Sequence, residues 1–232
     1  MLSTPEPLRE NDQNLKEPDA AKVIRHLAHE LRQPLSTLDS LAFYLDIVLP
    51  ETDERCREQV EKIQALVRQA NEIIDDAVYF TQASTPNPSV VVLDELITRK
   101  IADCNSIQDL NIQVEESSQP CVAWVDPTQL GHAFSAALNI FRRISFSGSP
   151  ISVRSEETDG KAEVRITSTA SSRQVEQLRQ FNSIPEPAFS LADGWLSMAS
   201  MHRVIQANEG DLEIESGPDQ QVALCFRFPI PC

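Results

Sequence analysis

The sequence predicts an α+β protein: a long antiparallel helical hairpin that dimerises into a four-helix bundle, followed by an α/β sandwich. Three observations predict it. Two apolar heptad stripes follow one another between residues 20 and 83. The stretch STPNPS at 84–89 ends them, because each proline forces extended backbone at the residue before it. Beyond it, short β-rich segments alternate with amphipathic helices. The organisation expected is a flexible tail over 1–17, a hairpin over 18–85 and a sandwich over 86–232.

The first helix repeats apolar residues at Ile24, Leu31, Leu38 and Leu45, at Leu27, Pro34, Leu41 and Val48, and at Ala28, Leu35, Ala42 and Leu49. Three of every seven positions make a stripe broad enough for a bundle. PETDE breaks the helix, with Thr52 or Asp53 as cap. The second helix repeats Cys56, Ile63, Ala70 and Ala77, then Leu66, Ile73 and Phe80, then Val60, Val67 and Ile74. Each helix is roughly 45 Å long at 1.5 Å per residue. Two such stripes cannot be covered by one another alone, which predicts a homodimer.

After the linker, SVVVLDELITRKIADC reads as a strand running into a helix. LNIQVEE and CVAWV read as strands, and DPTQLGHAFSAALNIFRRIS as an amphipathic helix. PISVRSEETDGKAEVRITS is a β-hairpin turning at Asp159-Gly160. QVEQLRQF and WLSMASMHRVIQANEG are helices, and DLEIES with VALCFRFP closes the sheet as a second hairpin.

Composition narrows the function. A formal net charge of −15 with no basic run argues against nucleic acid and anionic membrane surfaces as partners. No apolar run approaches the roughly 20 residues of a membrane helix, and the first residues lack the apolar core of a signal peptide. Five dispersed cysteines without a CxxC pair favour free thiols in a reducing compartment, so a cytoplasmic location without membrane or metal is expected.

The chemistry concentrates at HELRQPLS, residues 29–36. His29 falls on the helix face opposite the bundle core, where its imidazole can meet a donor in line. Glu30 is placed to bond one ring nitrogen and leave the other nucleophilic. Pro34, in a helix interior, costs about 3 kcal/mol, and a kink beside a reactive side chain would use it. His26 lacks the glutamate and reads as surface. His132 and His202 lie on amphipathic helices with no carboxylate partner in view, and a structural role is expected for both.

HELRQPLS resembles the H box of bacterial two-component histidine kinases. The resemblance extends over roughly residues 18–230: Asp126 and Leu130 match the start of the N-box helix, MHRVIQANEGDLEIES the helix and strand after the last glycine box, and CFRFP the closing strand. It implies a dimerisation and histidine-phosphotransfer hairpin followed by an ATPase-type sandwich, with response-regulator receiver domains as partners. It also implies His29 as phosphoacceptor, with Glu30 beside it. Gln33 stands where the family places an amide or hydroxyl residue, in a Glu-x-x-Thr or Glu-x-x-Asn pattern, to position water for dephosphorylating the regulator.

The family's nucleotide residues are not matched. The two N-box asparagines fall on Ala136 and Ile140, and Asn139 is one residue off, about 100° around the helix. Where an Asp-x-Gly-x-Gly loop belongs, the chain reads TASSRQVEQL, and the last glycine box shrinks to DGWLSM with Gly194 alone. Glycine is what lets backbone close on phosphates, and isoleucine is no Mg²⁺ ligand. The sequence therefore predicts a phosphotransfer protein with no cofactor, passing a phosphoryl group through His29 to or from regulator aspartates. The alternatives are a pseudokinase scaffold or regulator phosphatase, or an ATP-dependent kinase with a divergent pocket, the one reading that needs ATP and Mg²⁺.

Overall fold

Two helices open the chain, α1 (Ala20–Val48) and α2 (Glu54–Thr81), and they run antiparallel as expected. The computed structural model describes residues 20–50, 53–81, 85–105, 110–115, 117, 119–179 and 195–231. The expected tail, Thr52 and Gly194 lie outside them. Asp53 takes the capping role: its Oδ1 accepts from the Cys56 backbone N–H at 3.2 Å. Arg57 reaches back to the Leu49 carbonyl at 3.1 Å and closes the turn. Helix α1 continues through Pro34 without interruption.

The hairpin seam uses one of the three heptad rows on each helix. Ala28 and Ala42 of α1 are buried against Val60, Val67 and Ile74 of α2. Small residues on one helix admit branched ones from the other, which brings the backbones close. The remaining rows face outward: Leu27, Leu31, Leu38, Leu41 and Leu45 on α1, and Ile63, Leu66 and Ile73 on α2, are all exposed in the single chain.

The sandwich begins with β1 (Ser89–Val92), which runs directly into α3 (Leu93–Asn105). β2 (Ile112–Val114) and β3 (Val122–Val125) precede the long helix α4 (Pro127–Ile144). The hairpin of β4 (Ile151–Thr158) and β5 (Lys161–Thr169) follows, then α5 (Ser172–Arg179), α6 (Trp195–Ala207), β6 (Asp211–Ser216) and β7 (Gln221–Pro229). β1 pairs with β3, and a five-stranded sheet has the order β2-β4-β5-β7-β6, antiparallel except for β2–β4. Asp159 and Gly160 turn the β4–β5 hairpin with φ of 54° and 72°, the left-handed pair that two-residue hairpin loops require. Phe134 and Phe141 of α4, Ile97 of α3, Ile205 of α6 and Phe226 and Phe228 of β7 fill the core between helices and sheet.

Candidate functional site

His29, Glu30 and Gln33 all stand exposed on α1, with His29 one residue round from the buried Ala28. Adjacent helical residues diverge by about 100°. Among the described residues, the His29 and Glu30 side chains make no hydrogen bond, so the expected orienting contact is not formed. Pro34 has no N–H to give the Glu30 carbonyl, which leaves that backbone oxygen available beside the histidine. Arg32, one turn from His29, pairs with Asp75 of α2 at 2.5 Å. Both partners are about half exposed, so the pair aligns the helices more than it stabilises them. An open cleft of about 700 Å³ lies alongside, lined by Arg32, Asp75, Tyr79 and the start of α4.

The sequence-predicted nucleotide positions have other occupations. Ala136 and Ile140 of α4 are 3% and 4% exposed and belong to the hydrophobic core, while Asn139 is half-buried. The TASSRQVEQL segment folds as the end of β5 and helix α5. Ser171 and Gln174 close a reciprocal cap there: Gln174 Oε1 accepts from the Ser171 N–H at 3.1 Å, and Ser171 Oγ accepts from the Gln174 N–H at 3.4 Å. Val175 and Leu178 bury the inner face of that helix.

A second group of polar side chains, not foreseen from the sequence, joins hairpin to sandwich. Asp76 of α2 is 6% exposed. Its Oδ2 accepts from Ser197 Oγ at 2.5 Å and its Oδ1 from Ser200 Oγ at 3.0 Å, both on α6. His132 of α4 corrects the expectation of a histidine without a carboxylate: its Nε2 lies 3.4 Å from Asp76 Oδ1 and 3.2 Å from Ser200 Oγ. The Tyr79 ring stacks on the imidazole at 3.7 Å between centroids. Burial, with a smaller contribution from the Lys100 ammonium, holds His132 down at about 4. Burial also pushes the Asp76 carboxyl up, opposed by its two hydroxyl donors. At neutral pH the imidazole is therefore uncharged, and His132 and Asp76 do not form an ion pair. His202 is half-buried, and its described partner is Gln206 at 3.5 Å.

Flanking contacts extend this junction. Arg142 of α4 donates to both oxygens of Glu72 at 3.0 and 3.1 Å, and Arg203 of α6 donates to the Phe80 carbonyl at 2.6 Å. Asn208, 5% exposed, accepts from the Asp126 N–H at 2.8 Å and donates to Gln129 at 2.8 Å, tying the end of α6 to the start of α4. Asp126 itself caps α4, accepting from the N–H groups of Thr128 and Gln129.

Comparisons with known proteins agree with this architecture. Residues 20–86 match the family model of the His Kinase A (phospho-acceptor) domain. The sensor histidine kinase ZraS of Klebsiella oxytoca is 26% identical over 213 residues, covering 88% of this chain and 45% of that protein. The chain thus spans less than half the length of this curated relative. In fold it resembles full-length ShkA, solved in complex with AMPPNP, with a TM-score of 0.61 at 15% identity over 90% of this chain and 46% of that one. The histidine kinase AdeS of Acinetobacter baumannii gives a TM-score of 0.52 at 14% identity, covering 88% of this chain and 98% of its own. Among the described residues no helix is long and apolar enough to cross a membrane. The chain is built as a two-component histidine kinase core, a HisKA hairpin followed by an ATPase-like domain.

Proposed function

We propose that this two-component signalling protein is a histidine phosphotransfer protein whose phosphoryl donor and acceptor are receiver domains of response regulators. An imidazole nitrogen of His29 attacks the phosphorus of an aspartyl phosphate. The P–N bond forms as the acyl P–O bond breaks, and the aspartate leaves as its carboxylate. The reverse step delivers the phosphoryl group to a second receiver. The observation that carries this reading is the open position of His29 on α1, within the matched phospho-acceptor domain. The burial of Ala136 and Ile140 in the core supports a donor other than ATP, and the broad exposed stripe supports a homodimer.

A second reading, regulator phosphatase, is favoured by Gln33, exposed one turn beyond His29 on the same helix. Its amide carbonyl can orient a water toward a docked phospho-aspartate. Incubating the chain with a phosphorylated receiver domain tests both. Acid-labile phosphate should appear on the wild type and vanish in His29→Ala. Gln33→Ala should leave transfer intact while slowing loss of phosphate from the regulator. Labelling of His29 by ATP and Mg²⁺ alone would instead make the protein a kinase and end the proposal.

A further inference from the structure

A buried polar junction lies away from His29, where the second half of α2 meets the sandwich. We propose that Asp76 is a latch: a buried carboxylate supplied by the hairpin that locks α6 and α4 onto α2, so that the sandwich moves relative to the hairpin only when this contact breaks.

The geometry makes Asp76 the hub. Each of its oxygens accepts a hydroxyl proton from α6, at 2.5 Å from Ser197 and 3.0 Å from Ser200. Ser200 is fully buried and Ser197 is 6% exposed, so neither can turn to water while docked. The Ser200 hydroxyl has one proton and two acceptors in reach, Asp76 Oδ1 at 3.0 Å and the Ser197 carbonyl at 3.1 Å, and the carboxylate is the stronger acceptor. The remaining lone pair on Ser200 Oγ then accepts from His132 Nε2–H at 3.2 Å. One chain of hydrogen bonds therefore joins α4, α6 and α2, and Tyr79 closes it by stacking on the imidazole.

The energetic asymmetry of such a site gives it switch character. A buried carboxylate that keeps its donors is tolerated, whereas one that loses them is strongly disfavoured until water reaches it. Removing one bond thus favours opening of the whole junction over partial loosening. Ser197 lies in the first turn of α6, where the helix dipole also favours a negative charge. The two flanking ties have a different character. Glu72 with Arg142 and Arg203 with the Phe80 carbonyl are only part-buried or exposed, and water can replace them. Asp76 accordingly decides whether the face closes. His29, on α1 and exposed, is left outside the latched surface. This inference rests on the junction alone and stands whether or not His29 receives its phosphoryl group from a receiver.

Hydrogen exchange on the 232-residue chain tests the latch. Asp76→Asn keeps the shape but turns one oxygen into a donor facing a hydroxyl. It should speed amide exchange at least tenfold in residues 197–205 and 72–80, and leave the β5–β7 ladder as slow as in the wild type. Ser197→Ala, a milder change, should speed the same two segments and add little when combined with Asp76→Asn, since both remove one bond. Unchanged exchange in these segments for both variants would overturn the proposal. So would full additivity in the double variant, or equal acceleration throughout the β5–β7 ladder in Ser197→Ala, which would make Asp76 part of global stability and not of docking.

Discussion

His132 shows how far one side chain can depart from its sequence appearance. On α4 it occupies a helical position with polar and small neighbours, and nothing nearby in sequence marks it. Folding places it under Tyr79 and beside Asp76, where burial depresses its basicity to about 4 from the ordinary 6.5. The unfolded chain therefore binds more protons than the folded one across that window. Stability is fully present above about pH 6.5 and is lost as pH falls toward 4, by about 3 kcal/mol at 1.36 kcal/mol per unit. Asp76 works in the opposite sense, because a raised carboxyl takes up its proton earlier in the folded state and recovers stability at the acidic end. Lys100 of α3 and the acidic Glu72 and Asp75 of α2 face the same cluster. Urea midpoints should fall between pH 6.5 and 5 in the wild type and stay nearly level in His132→Gln. A wild type as level as the variant would show that the imidazole is not the titrating group.

At the level of single elements, the link from α6 to β6 is set by a close approach. Gly210 ends the turn between them, and a Cβ there would lie 2.8 Å from the Arg227 carbonyl oxygen and 2.8 Å from the Phe228 ring. Neither can move freely: Arg227 belongs to β7, in the interior of the sheet, and Phe228 is 1% exposed in the core. Gly210→Ala should therefore destabilise the protein by about 1–3 kcal/mol, as overpacked sites do, with the loss read in a thermal or urea transition. An unchanged midpoint would mean that β6 shifts to make room. Helix α5 shows the complementary case, in which a serine and a glutamine at cap spacing supply the helix start from residues three apart.

At the scale of the whole molecule, the hairpin leaves a broad apolar stripe uncovered in the single chain. Leu27, Leu38 and Leu66 are 51%, 48% and 64% exposed, within a continuous stripe that also holds Leu31, Leu41, Leu45, Ile63 and Ile73. Monomers rarely leave an apolar surface of this extent to water. A second hairpin packed on it would complete a four-helix bundle, which is the expected arrangement. Sedimentation should find a dimer at micromolar concentration. Leu38→Asp, which buries an unpaired charge in that interface, should give monomers or aggregates. A monomeric wild type would remove the bundle from the description and leave the stripe to another partner.

What the sequence alone determined about this protein is what short-range chemistry controls. The heptads of α1 and α2, the cap at Asp53 and the Asp159-Gly160 turn each depend on residues within a few positions, so periodicity and residue type suffice to read them. The candidate phosphoacceptor was legible for the same reason, since His29, Glu30 and Pro34 are neighbours on one helix. Tertiary structure alone decided which heptad row is buried, because Ala28 and Ala42 matter only once α2 supplies Val60 and Val67. It also decided the junction. Asp76 meets Ser197 and Ser200 across separations of 121 and 124 residues, and Asn208 meets Asp126 across 82. No local pattern encodes such pairings. A carboxylate, two hydroxyls and an imidazole become a site only when packing removes the water that would otherwise satisfy each of them separately.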